Sequence, residues 1–415
     1  MSLFVQTSSY TNPFVTTALP VGAGDAFGRL RTSNPLTLFD SSHRYHDNGL
    51  WATSTATGGT STFDINAGLV NLAVTTSSGS EVIRETTKCC SYQPGKSLLV
   101  MSTFTLNPAK TGLRQRVGYY GAANGMYLEL ANNTLSFVER SSSTGSLVET
   151  RVSQSNWNTD PLNGDGPSNL ELDITNSQIL WMDIEWLGLG TVRMGFVING
   201  KFIHCHSFHH ANIITSTYIT TASLPLRYEI TNTAATASAS TLKQVCSTVL
   251  SEGGYELRGL QQAIGTTITA PYALTVAGTY YPVISLRLKA AALDAIVILT
   301  ALSILGATAN ANYNWRVMAN TTTTGGTWTS AGSESSVEYN LTGTATTGGR
   351  ILAQGYFSST NQSTASVDIL KEALFKFQLE RNGLTSTPYE LSLVVTASVA
   401  TSNVHASMDW EEISR

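Results

Sequence analysis

Short runs that alternate apolar and polar residues dominate the chain from about Leu50 onward, with turn residues about every 8–12 positions, the pattern of a sandwich or barrel. The sharpest run is Val192–Ile198, followed by Asn199-Gly200 and Lys201–His206. Asn-Gly supplies the two positive φ angles of a type I′ turn, so a two-residue loop sets the register. That register predicts Ile198 opposite Lys201, Phe196 opposite Ile203 and Met194 opposite Cys205, an apolar row for the core. Arg193, Gly195, His204 and His206 fall on the other face. Upstream, Leu180, Met182, Ile184 and Trp186 alternate with Trp181, Asp183 and Glu185. Gly125–Leu130 and Thr134–Glu139, joined at Asn132-Asn133, predict a second hairpin.

These strands resemble those of the concanavalin-like jelly roll, two stacked antiparallel sheets. The expectation is therefore an all-β chain of two sandwiches: residues 46–256 concanavalin-like, and 257–415 a second β-sandwich. In the latter, Ile284–Lys289, Tyr313–Met318, Leu374–Leu379 and Leu391–Thr396 read as strands, and Val367–Ala373 as a short helix. Residues 1–45 are rich in Gly, Pro, Asn and Ser and cannot bury enough surface to fold alone. They read as an extended docking arm that packs on its own body or on a neighbour.

Composition narrows the function classes. Charged residues are 13% of the 415, hydrophobic residues 42%, and the formal net charge is −4. A chain so short of basic charge lacks the phosphate-neutralising surface of a general nucleic-acid binder. Ser and Thr supply the polarity instead, and Thr suits strands. Ala290–Ala309 is apolar enough to imitate a membrane span, but Asp294 lies within it and Ile296-Val297-Ile298 reads as a buried strand; no membrane insertion is expected. The N-terminus shows no signal peptide. Cys89, Cys90, Cys205 and Cys246 form no disulfide framework and read as buried or half-buried thiols made in a reducing cytoplasm.

Trp181-Met182-Asp183-Ile184-Glu185 is similar to the catalytic strand of β-glucanase-type glycoside hydrolases, Glu-x-Asp-x-Glu. Alternation there puts carboxylates on one face, and a retaining mechanism needs two of them about 5–5.5 Å apart. Asp183 and Glu185 match that pattern, whereas Trp181 replaces the nucleophile, so no catalytic residue is assigned. The same face, with Trp181, Asp183, Glu185 and Arg193, could face a glycan, Trp181 stacking on a sugar ring; Tyr119 and Tyr120 are further aromatic candidates. His204 and His206, on one strand face, could meet one metal ion. They read first as surface polar groups, and no metal or other cofactor is expected. Asn158–Pro167 carries oxygen ligands at short spacing but lacks the calcium-loop pattern, and reads as turn chemistry.

Asp25–Ser41, with its DAFGRLR stretch, and Trp186–Gly200 together resemble a family of virion structural proteins of tailed phages, aquatic and cyanobacterial ones prominent among them. The likeness is dense over residues 20–260 and looser beyond. Membership implies a non-enzymatic particle component assembled in the host cytoplasm: a tail or neck appendage (fibre or spike), or a head decoration protein. It implies docking by the arm through Phe27, Arg29, Leu30, Arg31, Leu38 and Phe39, with other virion proteins and further copies of the chain as partners. A carbohydrate-binding module meeting a host-surface glycan is the alternative, and a polysaccharide hydrolase the third reading.

Overall fold

In the computed structural model the described residues are 34–47, 49–256, 258–359 and 377–414. Their regular structure is β-strand almost throughout, with irregular segments between the strands. The first unit holds β1 (Leu36–Ser42), β2 (Trp51–Ala56), β3 (Thr60–Asp64), β4 (Leu69–Val74), β5 (Glu81–Thr86), β6 (Leu98–Thr105), β7 (Leu113–Tyr120) and β8 (Gly125–Ala131). It continues with β9 (Thr134–Ser141), β10 (Val148–Ser153), β11 (Gln178–Ile184), β12 (Val192–Ile198), β13 (Lys201–Phe208), β14 (Leu226–Asn232) and β15 (Ser240–Ser251). One eight-stranded sheet runs β13-β12-β11-β6-β15-β4-β3 with β1 also paired to β15; a seven-stranded sheet runs β10-β9-β8-β7-β14-β5-β2. Every named pairing is antiparallel, and the two inner faces share one core, a jelly-roll sandwich.

Alternation builds that core. Leu180, Met182 and Ile184 point inward from β11, Leu98, Val100 and Phe104 from β6, and Val117, Tyr119, Leu128 and Phe137 from the facing sheet. The two predicted hairpins are present, with Asn199 at φ 53° and Gly200 at φ 74° in one and Asn132 at φ 53° in the other. Inside the sandwich lies one large cation the alternation pattern did not flag. Arg84, 1% exposed, is bonded bidentately by Asp47 (2.8 and 2.9 Å) and by Gln244 at 2.8 Å. These bonds neutralise it and pin the link that enters β2.

The second unit has its own core. Its strands are β16 (Leu260–Gly265), β17 (Tyr272–Leu274), β18 (Tyr281–Leu288), β19 (Ile296–Gly306), β20 (Asn312–Thr324) and β21 (Thr329–Ser330). Then come β22 (Val337–Asn340), β23 (Ala345–Ser358), β24 (Arg381–Asn382), β25 (Thr387–Pro388), β26 (Glu390–Ala397) and β27 (Ser402–Ser414). A six-stranded sheet, β21-β22-β18-β26-β20-β23, packs on a four-stranded one in which β27 pairs β16, β17 and β19. The apolar run at Ala290–Ala309 contributes β19, with Val297 and Leu299 in this core; no helix among the described residues is long and apolar enough to cross a membrane. The expected strand at Leu374–Leu379 is described only from Phe377, where Gln378 makes an isolated bridge to Ile298, and the expected helix Val367–Ala373 lies outside the described residues.

The units meet through Arg381. Its guanidinium binds Glu85 at 2.7 Å and the Thr86 carbonyl at 3.0 Å, and its amide donates to the Thr87 carbonyl. Cys89 sits against the same guanidinium at 3.2 Å. Cys89, Cys90 and Cys205 are buried as expected, but Cys246 points outward from β15 and is exposed.

Candidate functional site

Strand β11 lies between β6 and β12, and Asp183 stands directly opposite Arg193 on β12. The Arg193 guanidinium is ion-paired to the Asp183 carboxylate. Trp181 also points outward, yet only 6% of it is exposed. Gly195 leaves a slot on β12 that any Cβ would close, since one would meet the Ile203 carbonyl oxygen at 2.0 Å and the Trp181 indole nitrogen at 3.0 Å. Through that slot the indole crosses β12 and donates to the Ile203 carbonyl at 3.2 Å. Its outer side meets Phe202, 55% exposed, edge-on at 5.6 Å. The expected sugar platform at Trp181 is therefore corrected: the ring is packed down, and Phe202 is the aromatic that reaches solvent beside it.

Beyond β11 the chain turns through Glu185–Thr191. The Glu185 amide donates to Thr191 O at 3.1 Å and the Gly190 amide to Trp186 O at 2.7 Å. The Leu187 amide donates to Tyr92 Oη at 3.2 Å, and Tyr92 meets Trp186 edge-on. Leu187 is held at φ +38° with its side chain 57% exposed, an unusual pairing for a branched apolar residue. This turn, the end of β11 and the Gly95–Ser97 segment enclose a cleft of about 520 Å³. Asp183, Glu185 and Arg193 line it with Lys96, Thr191 and Leu187. Three of the four residues read from sequence as glycan-facing thus come together; Trp181 does not join them. Two carboxylates face two cations, so the wall is formally neutral while rich in donors and acceptors, and Leu187 and Tyr92 give it an apolar side.

The histidines do not form a metal site. A β-bulge between Met194 and Gly195 inserts Cys205 as an extra residue, so His206 rather than Cys205 stands opposite Met194. His206 turns inward beside Phe137 and Phe208 and accepts the Asn158 amide at 3.2 Å; His204 stays outside, bonded to Ser207 Oγ at 2.9 Å. Burial pushes His206 down to about 4. The bulge puts the two rings on opposite faces of β13, and no cluster of three His, Cys, Asp or Glu side chains suited to a metal occurs among the described residues. Asp160 spends both oxygens on backbone amides, Leu162 at 2.9 Å and Ser168 at 2.8 Å, which is turn chemistry.

Of the arm residues, Phe27, Arg29, Leu30 and Arg31 lie outside the described residues. Leu38 and Phe39 belong to β1, which pairs with β15 of the same chain. Phe39 is 6% exposed and meets Trp51 edge-on at 5.8 Å; Leu38 packs on the core beside it. Phe39 is corrected from a particle contact to a packing residue, because a strand that buries its ring in its own sandwich cannot present it to a neighbour, whereas Leu38 is only half-buried.

A largely buried charged layer also escaped the sequence reading. The outer face of the seven-stranded sheet carries Arg116 against Glu129 at 2.7 Å, Arg140 against Glu149 at 2.6 Å, and Arg114 and Arg227 against Glu229 at 3.0 and 3.1 Å. Tyr120 and Tyr127 lie beneath these guanidinium groups, wholly buried, while Tyr119 faces the core. Burial opposes the Glu149 charge, but Tyr127, Arg140 and Arg151 outweigh it and hold the carboxyl down to about 2.

No family model and no curated protein matches the chain. Among solved structures it is similar to a protein of unknown function from Shewanella oneidensis, at 8% identity over 55% of this chain and 91% of that one, with a TM-score of 0.36. The β-glucanase of Bacillus licheniformis aligns at 11% identity over 51% and 96%, TM-score 0.32. The carbohydrate recognition domain of Emp47p aligns at 10% over 49% and 90%, TM-score 0.31. Likenesses this distant carry no argument about function, which rests on the residues themselves.

Proposed function

We propose that this chain is a non-enzymatic β-sandwich subunit of a tailed-phage particle, and that its first sandwich takes an uncharged glycan in the cleft at the end of β11. The observation that carries the binding reading is the cleft's charge balance: Asp183 and Glu185 against Lys96 and Arg193, beside the exposed Leu187. A neutral polyhydroxyl ligand satisfies such a wall without leaving a charge unpaired, whereas an acidic or basic ligand upsets it. The absence of catalysis is argued from the same residues. Asp183 is already committed to Arg193, and Trp181 replaces the third carboxylate of the hydrolase pattern. The particle role follows from the virion resemblance. It is supported by β1, which ties the arm to the body: Phe39 is buried, and Thr248 Oγ1 donates to the Phe39 carbonyl at 3.1 Å. Load on the arm would be taken by a hydrogen-bonded strand. Assembly into homo-oligomers is supported by β23, a 14-residue strand at the end of its sheet with Arg350 its only charged residue, since a strand edge complements another edge.

The test is an array of neutral and acidic glycans probed with the full chain, then calorimetry on each hit. Lys96→Ala and Leu187→Gly should each weaken a neutral hit about tenfold, the scale of one charged hydrogen bond or one buried side chain. Binding confined to acidic glycans, or neutral binding untouched by both variants, refutes the cleft. Release of new reducing ends from a bound glycan refutes the non-enzymatic reading.

A further inference from the structure

The loop that walls the cleft rests on a histidine. His210, 5% exposed, places Nδ1 at 2.5 Å from the Gly190 carbonyl and Nε2 at 2.7 Å from the Glu139 carboxylate. Both partners are acceptors, so both ring nitrogens must carry a proton, which only the imidazolium does. The ring lies flat on Tyr218, with centroids 3.9 Å apart and planes within 4°. Tyr218 in turn holds the loop twice: its hydroxyl donates to the Glu185 carbonyl at 3.2 Å and its amide to the Gly188 carbonyl at 3.0 Å. His209 adds a bond to Thr191 Oγ1 at 3.2 Å.

We infer that His210 is a positioning residue for the cleft, a buried imidazolium that clamps the Glu185–Thr191 loop and releases it when the ring loses its proton. This deepens the binding reading above and rests on it for its functional meaning. The neutral ring keeps one N–H and turns a lone pair toward the other acceptor. The charged Glu139 is the stronger claimant for the remaining proton, so the contact that fails is the one to Gly190, in the loop. The titratable groups facing the ring are Glu139 from β9, with Tyr218 and His209 on its own segment; Glu185 lies one bond further, behind Tyr218. Burial works against the charge on His210, and Glu139 and the Gly190 carbonyl overcome it, leaving the group above its ordinary value. The clamp is therefore closed at acid and neutral pH and opens as pH rises through the raised value.

The experiment uses the full chain without ligand, so its outcome is independent of whether any glycan binds. Amide exchange of the 185–191 segment, corrected for the intrinsic pH dependence, is followed from pH 6 to pH 9 beside the imidazole titration of His210 by NMR. The expected result is an approximately tenfold rise in corrected exchange, equivalent to about 1.4 kcal/mol, centred where His210 titrates and abolished in His210→Gln. Exchange flat with pH, the same pH dependence in His210→Gln, or a His210 titration below 6.5 overturns the clamp. If His210→Gln does not fold, the native titration and exchange profile still decide it.

Discussion

Replacing Phe39 with alanine separates a packing role from a docking role. The ring is 6% exposed in the core of the first sandwich and meets Trp51 edge-on at 5.8 Å. Phe→Ala in a core costs about 3–5 kcal/mol, of which the aromatic pair accounts for roughly 0.5–1.5. β1 lies beside β15 with a register shift at Leu38, so the sheet can relax locally and the lower end, about 3 kcal/mol, is the working value. Leu36, 43% exposed on the same strand, provides the control, and Leu36→Ala should stay within about 0.5 kcal/mol of the native chain. The assay is urea unfolding of the full chain, combined with amide exchange at β15, where Val249 pairs with Phe39. Exchange there reports the first sandwich separately from the second. A loss near 3 kcal/mol, with faster exchange along β15, is expected. A Phe39→Ala chain as stable as the native one would refute the packing argument and return Phe39 to the docking surface.

Arg381→Ala removes the ion pair at the junction of the units and leaves the buried Glu85, among the described residues, with Arg227 at 3.5 Å. Breaking a buried pair costs about 3–5 kcal/mol at pH 7. Burial already pushes the Glu85 carboxyl up despite Arg381 and Arg227, so the cost should shrink as pH falls and Glu85 takes a proton; unfolding midpoints of native and variant at pH 7 and pH 4.5 check this, and an equal gap at both refutes it. His206 behaves in the opposite sense. Its folded value, about 4, lies below the unfolded 6.5, so the native state is favoured above pH 6.5 and loses up to about 3 kcal/mol as pH falls to 4. His206→Gln should flatten that part of the stability profile, and an unchanged slope between native and variant counts against the buried neutral ring.

Local alternation made most of the first sandwich legible. The Asn199-Gly200 turn sets Ile198 opposite Lys201 and Phe196 opposite Ile203, as a two-residue loop requires. The register held until Cys205, where one inserted residue sent His206 to the core and left His204 outside. Nothing in a run of alternating residues announces such a bulge, because the extra residue shows only in the pairing with the neighbouring strand. The outward direction of Trp181 was likewise legible and its burial was not. That burial depends on Gly195 of the next strand and on a carbonyl of the strand after it, two neighbours that only the sheet order brings together.

The cleft divides the same way. Asp183, Glu185 and Arg193 lie within eleven residues of one another across one turn, so sequence alone grouped them. Tyr92, Lys96 and His210 come from distant segments, and no periodicity connects them to β11. The Arg–Glu layer on the other sheet explains why a chain with only 13% charged residues still shows so many close ion pairs. The charges of that layer neutralise one another on one face of the sheet. The cleft at the end of β11 follows the same rule in part: Asp183 and Arg193 pair with each other, so under the binding reading proposed above a ligand's hydroxyls would meet Glu185 and Lys96 first.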